Sequence, residues 1–132
     1  MKLLEGKVAI VTGAARGIGE GIALKFAEQG AHVAFSYVSE SSREKAAALE
    51  ARLQAMGVKA KAWQSNAGDL AQCESFVNDV LKEFGTIDIL VNNAGISKDN
   101  LLMRMSPEQW NEHSFFISDD KNGVIYYVWK EN

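Results

Sequence analysis

Residues 7–19 read KVAIVTGAARGIG, and this stretch decides the fold. Residues 7–11 form a compact apolar run, the pattern of a strand covered on both faces. Gly13, Gly17 and Gly19 follow, and then a segment with Ile18, Ile22 and Phe26 at four-residue spacing that stops at Gly30. Strand, glycine turn and amphipathic helix together open a βαβ unit. Glycines in such a turn let backbone approach a ligand closely, and the helix N-terminus behind them favours an anion such as a pyrophosphate. The spacing is G-x-x-x-G-x-G rather than G-x-G-x-x-G, and a ligand-free glycine-rich turn is the alternative reading.

The same alternation continues outward. Residues 31–37 (AHVAFSY) are a second strand. Ser41 with Glu44 forms a capping box for a helix whose apolar stripe is Ala46, Leu49, Leu53 and Met56, ended by Gly57. Residues 58–63 are a third strand. Asp69 with Gln72 starts a third helix, lined on one face by Leu70, Cys73, Phe76, Val80 and Phe84 and closed by Gly85. Residues 87–91 (IDILV) are a fourth, buried strand. Parallel strands need crossovers, so β-α-β-α-β-α-β predicts an α/β, Rossmann-like doubly wound parallel sheet with helices on both faces.

Composition sets the outer limits. The 132 residues, 47% hydrophobic and 23% charged, make one globular domain and exclude a disordered tail or a collagen-like fibre. A net charge of −3 provides no footprint for nucleic acid. One cysteine, Cys73, precludes an internal disulfide and suits a reducing cytoplasm. No signal peptide or membrane span is expected from the apolar runs. Cys73 on its apolar stripe reads as core, Asp88 as a satisfied buried carboxylate, and Arg43-Glu44-Lys45 as a solvated helix face. His32 and His113 have no partners at metal spacing, so no metal is expected.

Past residue 96 the texture changes. Ser106-Pro107-Glu108-Gln109 starts another helix, but its pattern vanishes after Glu112. Residues 113–132 (HSFFISDDKNGVIYYVWKEN) carry two aromatic and β-branched runs around Asn122-Gly123, a β-hairpin signature. The expected organisation is therefore a βα unit, residues 1–112, followed by a divergent hairpin-like tail, residues 113–132. The fourth strand would otherwise be an open apolar edge. The tail is expected to cover it, with residues 124–129 beside it.

The rim at the carboxyl ends of the strands is where a doubly wound sheet binds ligands. NAD-binding proteins place Asp or Glu at the end of the second strand, where Tyr37 and Val38 stand here. Arg16 in the glycine turn, with Arg43 as a weaker second cation, would attract a 2′-phosphate, so NADP(H) is favoured over NAD(H). The alternative for Arg16 is a solvated surface charge. Asn92-Asn93-Ala94-Gly95 follows the fourth strand, where small residues admit a ribose and Asn side chains bridge strand ends. Asn66-Ala67 lies on the same rim beside the adenine position. For both pairs the alternative is ordinary loop chemistry.

Residues 12–19 (TGAARGIG) together with Asn92-Asn93-Ala94-Gly95 resemble the short-chain dehydrogenase/reductase family. Residues 95–105 (GISKDNLLMRM) resemble one branch of it, the bacterial 3-oxoacyl-(acyl-carrier-protein) reductases of fatty-acid synthesis. The resemblance covers about residues 1–112 and implies that they are an NADP-binding Rossmann half-domain, truncated after the fourth strand and following helix. It implies an NADPH-dependent ketone reduction by hydride transfer. It assigns the cofactor to Thr12, Gly13, Ala14, Ala15, Arg16, Gly17, Ile18 and Gly19 at the phosphates. Asn66 and Ala67 take the adenine, and Asn93, Ala94 and Gly95 the nicotinamide ribose. It also implies an acyl-carrier-protein-linked substrate.

The family's catalytic Ser, Tyr and Lys find no counterparts in this chain, and its helix-borne Asn would fall near Ile117. Tyr126-x-x-x-Lys130 matches the Tyr-Lys spacing, yet those positions are about 5–6 Å apart only in a helix. In a strand they are about 13 Å apart, and the surrounding residues favour strand. No catalytic residue is therefore expected, and the chain reads as a cofactor-binding fragment inactive alone, with the family's oligomer interface largely absent. The alternatives are a non-enzymatic interaction protein that uses the aromatic hairpin, or a non-functional truncated or frameshifted product.

Overall fold

A computed structural model describes residues 2–15, 17–66, 69–93, 115–119 and 125–129, the last two segments as strand backbone. The elements run β1 (Val8–Val11), α1 (Gly17–Glu28), β2 (His32–Tyr37), a short 3-10 turn (Glu40–Ser42), α2 (Arg43–Ala55), β3 (Ala60–Gln64), α3 (Leu70–Phe84), β4 (Ile89–Asn92), β5 (Phe115–Asp119) and β6 (Ile125–Trp129). They form one sheet in the order β3-β2-β1-β4-β5-β6. Strands β1 to β5 are parallel to their neighbours and β6 is antiparallel to β5. The βαβ reading of residues 7–92 therefore holds.

Alternation along each strand sends side chains to opposite faces, and both faces are covered. Ala9, Val11, Val33, Phe35, Ile89 and Val91 pack under α1 and α2. Val8, Ile10, Ala34 and Leu90 pack under Cys73, Phe76, Val77 and Val80 of α3. Of the stripes expected on α2 and α3, Ala46, Leu49, Leu53, Cys73, Phe76 and Val80 are buried and Met56 and Phe84 partly so, and Cys73 is core.

Helix α1 differs from its expected stripe. It buries Gly19, Ala23 and Ala27. Ile22 and Phe26 are only partly buried at the flanks, and Ile18 is 69% exposed. Small residues let the helix axis approach the sheet, and the larger apolar side chains fill the margins. The capping box at Ser41 and Glu44 is not made either. The chain enters α2 through the 3-10 turn, and the Ser42 side chain makes no cap bond but lies 3.0 Å from Ser39 Oγ.

At the other edge the sheet continues past β4. The strand beside β4 is Phe115–Asp119, with Val91 opposite Ile117, and not the expected residues 124–129. Two strands of a hairpin are antiparallel to each other, so only one can lie parallel to β4. The connection of roughly twenty residues that precedes β5 is long enough for a parallel crossover. β6 then takes the outer place. The helix expected from Ser106 lies outside the described residues.

Asp88 links the two central strands just before β4. Its Oδ2 accepts from Val8 N at 2.9 Å, and its own N donates to Val8 O at 2.9 Å. It is buried and satisfied, as expected. Asp88→Ala, which leaves the Val8 N–H without its acceptor, is expected to lower stability by about 1–3 kcal/mol in urea unfolding. Asp88→Asn, which keeps an acceptor oxygen, should lose less. A chain ending at residue 112 should show faster hydrogen exchange at the β4 amides that face β5, while those facing β1 keep their protection.

Candidate functional site

The strand order reverses between β1 and β4: β2 and β3 lie to one side of β1, and the chain returns through α3 to place β4 on the other. A crevice at the carboxyl ends follows from that topology. Thr12 sits at its base and is buried. Thr12 N donates to Val91 O at 3.0 Å. The Thr12 hydroxyl lies 3.2 Å from Asn92 Oδ1 and accepts from Asn93 N at 2.9 Å. Asn93 Nδ2 returns to Gly13 O at 3.2 Å. Asn93 thus bridges the end of β4 to the glycine turn, which is the strand-end role expected of it.

The turn is held from the other side as well. Gly13 N donates to Ser36 Oγ at 3.2 Å, and Ala14 N to Ser36 O at 3.1 Å. Ser36 was not among the residues singled out from sequence. The signal was a hydroxyl in the middle of an apolar strand, AHVAFSY.

Gly13 and Gly17 have φ of 64° and 61°, a region that disfavours side chains. A Cβ on Gly17 would meet no described atom within 4 Å. Gly19 differs: a Cβ there would lie 2.5 Å from Asn93 Nδ2, 2.9 Å from Gly13 O and 3.0 Å from Ala14 Cα. Its hydrogen is what permits α1 to start against the β1–β4 junction. The first N–H groups of α1 and the exposed Ile18 flank the opening.

Toward the other end of the rim, Tyr37 is buried and Val38 is 48% exposed, with no carboxylate at either position. Arg43 Nε pairs with Glu40 Oε1 at 2.7 Å, and its Nη2 lies 3.4 Å from Gln64 Oε1. Glu40, hydrogen-bonded to it, holds the Arg43 guanidinium above its ordinary pKa. The second cation is therefore already engaged by a carboxylate.

A cleft of about 580 Å³ opens beside the end of β3, lined by Val38, Trp63, Gln64, Asn66, Gln72 and Phe76 among others. Asn66 is exposed on its rim, with its main chain bonded to the first turn of α3. Asn66 N donates to Gln72 Oε1 at 2.8 Å, and Asn66 O accepts from Asp69 N at 3.0 Å. Asp69 caps α3 as expected, accepting from Gln72 N at 3.1 Å. The Gln72 side chain does not return to Asp69 N, as a capping box would have it, but reaches back to Asn66.

Thr12, Gly13, Gly19 and Asn93 thus come into contact, and Ala14 follows them into the core. Asn66 stands three strands from β4 along the rim, about 14 Å at ~4.8 Å per strand. Arg16, Ala67, Ala94 and Gly95 lie outside the described residues. Tyr126 lies in the extended strand β6, and Lys130 is outside the described residues. His32 Nδ1 accepts from Lys59 N at 2.9 Å, and His113 is outside the described residues. Among the described residues no three His, Cys, Asp or Glu converge to hold a metal. No described helix is long and apolar enough to cross a membrane.

The sequence model described as short chain dehydrogenase matches residues 7–117. A 3-oxoacyl-(acyl-carrier-protein) reductase of Staphylococcus aureus strain Mu50 is 47% identical over 124 residues, covering 94% of this chain and 48% of that protein. The family likeness thus runs beyond Glu112. A blue fluorescent protein from a metagenomic library, solved with NADPH, aligns at 47% identity and a TM-score of 0.69 over 72% of this chain and 38% of its own. A short chain dehydrogenase from Burkholderia cenocepacia J2315, solved with NADP, aligns at 42% identity and a TM-score of 0.67 over 80% of this chain and 42% of its own. The chain spans about half the length of the curated relatives it matches.

Gly19→Ala is expected to force Asn93 and the turn apart. It should cost about 1–3 kcal/mol in thermal or urea unfolding and perturb the NMR signals of Gly13 and Asn93. Gly17→Ala, which meets no described atom but keeps a left-handed φ, should cost only about 1–2 kcal/mol and leave the Asn93 signals in place.

Proposed function

This chain belongs to the short-chain dehydrogenase family, and we propose that it supplies the NADP(H)-binding half of a reductase of the 3-oxoacyl-(acyl-carrier-protein) kind. The observation that carries the reading is the β1–β4 junction. The left-handed Gly13 and Gly17 and the Gly19–Asn93 contact form a cradle at a helix N-terminus. The donors there suit a pyrophosphate. Thr12, Gly13, Ala14, Ala15, Arg16, Gly17, Ile18 and Gly19 would hold the phosphates, Asn66 and Ala67 the adenine, and Asn93, Ala94 and Gly95 the nicotinamide ribose. When bound, the nicotinamide supplies the hydride, and this half of the protein binds and orients it.

The preference for a 2′-phosphate is supported by the rim itself. Tyr37 and Val38 offer no carboxylate to repel it, and the nearby Glu40 is neutralised by Arg43. Arg16 is the cation assigned to it. Two of its solved relatives carry NADPH and NADP, and another, a xylitol dehydrogenase at 36% identity, carries NAD+.

The further division is part of the same proposal. Residues 1–112 form the cofactor half, residues 113–132 a tail whose first residues, to 117, still match the family, and the chain by itself reduces no ketone. Tyr126 in a strand supports this, because a partner four residues on is then about 13 Å away. β5 pairing with β4 supports a tail that covers its own sheet edge ahead of one that serves another protein.

Titration with NADPH, followed by its fluorescence, should show saturable binding below about 1 mM, roughly −4 kcal/mol or better. Arg16→Ala should weaken NADPH about 10- to 100-fold and leave NADH unchanged, as loss of one charge-assisted contact implies. Equal loss for both cofactors would refute the 2′-phosphate assignment. No NADPH should be consumed with an acetoacetyl thioester; turnover would overturn the inactivity.

A further inference from the structure

We propose that Gln72 is a positioning residue for the adenine side of the site, locking the main chain of Asn66 before any ligand arrives. The inference rests on the cofactor reading above and adds a residue to it that lies outside the glycine turn, Asn66-Ala67 and Asn92-Asn93-Ala94-Gly95.

Asn66 follows the end of β3. Its N–H meets Gln72 Oε1 at 2.8 Å, and its carbonyl accepts from Asp69 N at 3.0 Å and Cys73 Sγ at 3.9 Å. Gln72 is fixed in turn. Its backbone N bonds Asp69 Oδ1 at 3.1 Å, its Nε2 bonds Asp69 Oδ2 at 3.3 Å, and its carbonyl accepts from Ser65 Oγ at 3.3 Å. The side-chain amide has one consistent orientation, because reversing it would set donor against donor at Asn66 and acceptor against acceptor at Asp69.

Ordinary helix capping would use the glutamine arm on the Asp69 N–H. Here Asn66 O already takes that donor, so the arm reaches three residues further back and ties helix to loop. Gln72 and Asn66 line the same cleft. A loop ordered in advance loses less conformational freedom when it meets a ligand, so the clamp raises affinity without Gln72 itself being the reading group.

The test compares NADPH with reduced nicotinamide mononucleotide, which lacks the adenosine half, on the whole chain, Gln72→Ala and the double variant Asp69→Asn/Gln72→Glu. The double variant reverses the polarity between residues 69 and 72 but keeps an acceptor for Asn66 N–H. Gln72→Ala should weaken NADPH on the order of tenfold, leave the mononucleotide unchanged and speed exchange of the Asn66 amide. The double variant should restore NADPH to within about twofold and slow that exchange again. Unchanged NADPH binding by Gln72→Ala overturns this proposal alone, and so does equal weakening of both ligands. An original chain that binds no NADPH overturns the cofactor reading and this inference with it.

Discussion

The contact among Thr12, Gly13, Gly19 and Asn93 is the constraint on which the rest of this structure depends. Thr12 bonds across to Val91, Asn92 and Asn93, and Asn93 returns to Gly13. The junction joins β1 to β4, the one place where the strand order changes direction. α1 starts directly above it because residue 19 has no side chain. One set of short polar groups therefore sets the spacing of the central strands, the angle of the turn and the start of the helix. The same set shapes the opening at which the helix N-terminus points.

The packing follows from that closeness. α1 can approach the sheet only through a line of small residues, Gly19, Ala23 and Ala27. The opposite face uses larger groups, with Phe76 beside Trp63 at 5.7 Å between ring centroids. Asp88 anchors the entry of β4 to the start of β1, so the strands that carry the site are bonded at both ends. Beyond β4 the hairpin extends the sheet, so β4 is internal and the edge passes to β6.

Much of the site was legible because it consists of local chemistry. A strand, three glycines and a helix in that order predict a tight turn at a helix N-terminus, the setting that favours an anion. Asn93 was legible as a strand-end bridge for the same reason. Ser36 and Gln72 were not, since each acts on a residue distant in sequence or through an atom that propensity does not distinguish. Ser36 reads as an ordinary polar interruption of a strand until Gly13 is seen against it, 23 residues away. Gln72 satisfies the spacing of a capping box, and only the competition for the Asp69 N–H redirects its side chain to Asn66.

The sequence by itself determined the order and kind of elements through β4, the parallel sheet, the glycine turn between β1 and α1, and the family. All of these follow from periodicity and residue type along short stretches of chain. The tertiary structure alone decided which face of α1 is buried and which strand of the tail lies beside β4. It also decided where the Gln72 amide points. Each of those is a choice between local arrangements of similar cost, settled by which distant backbone or side chain occupies the space and the hydrogen bond first.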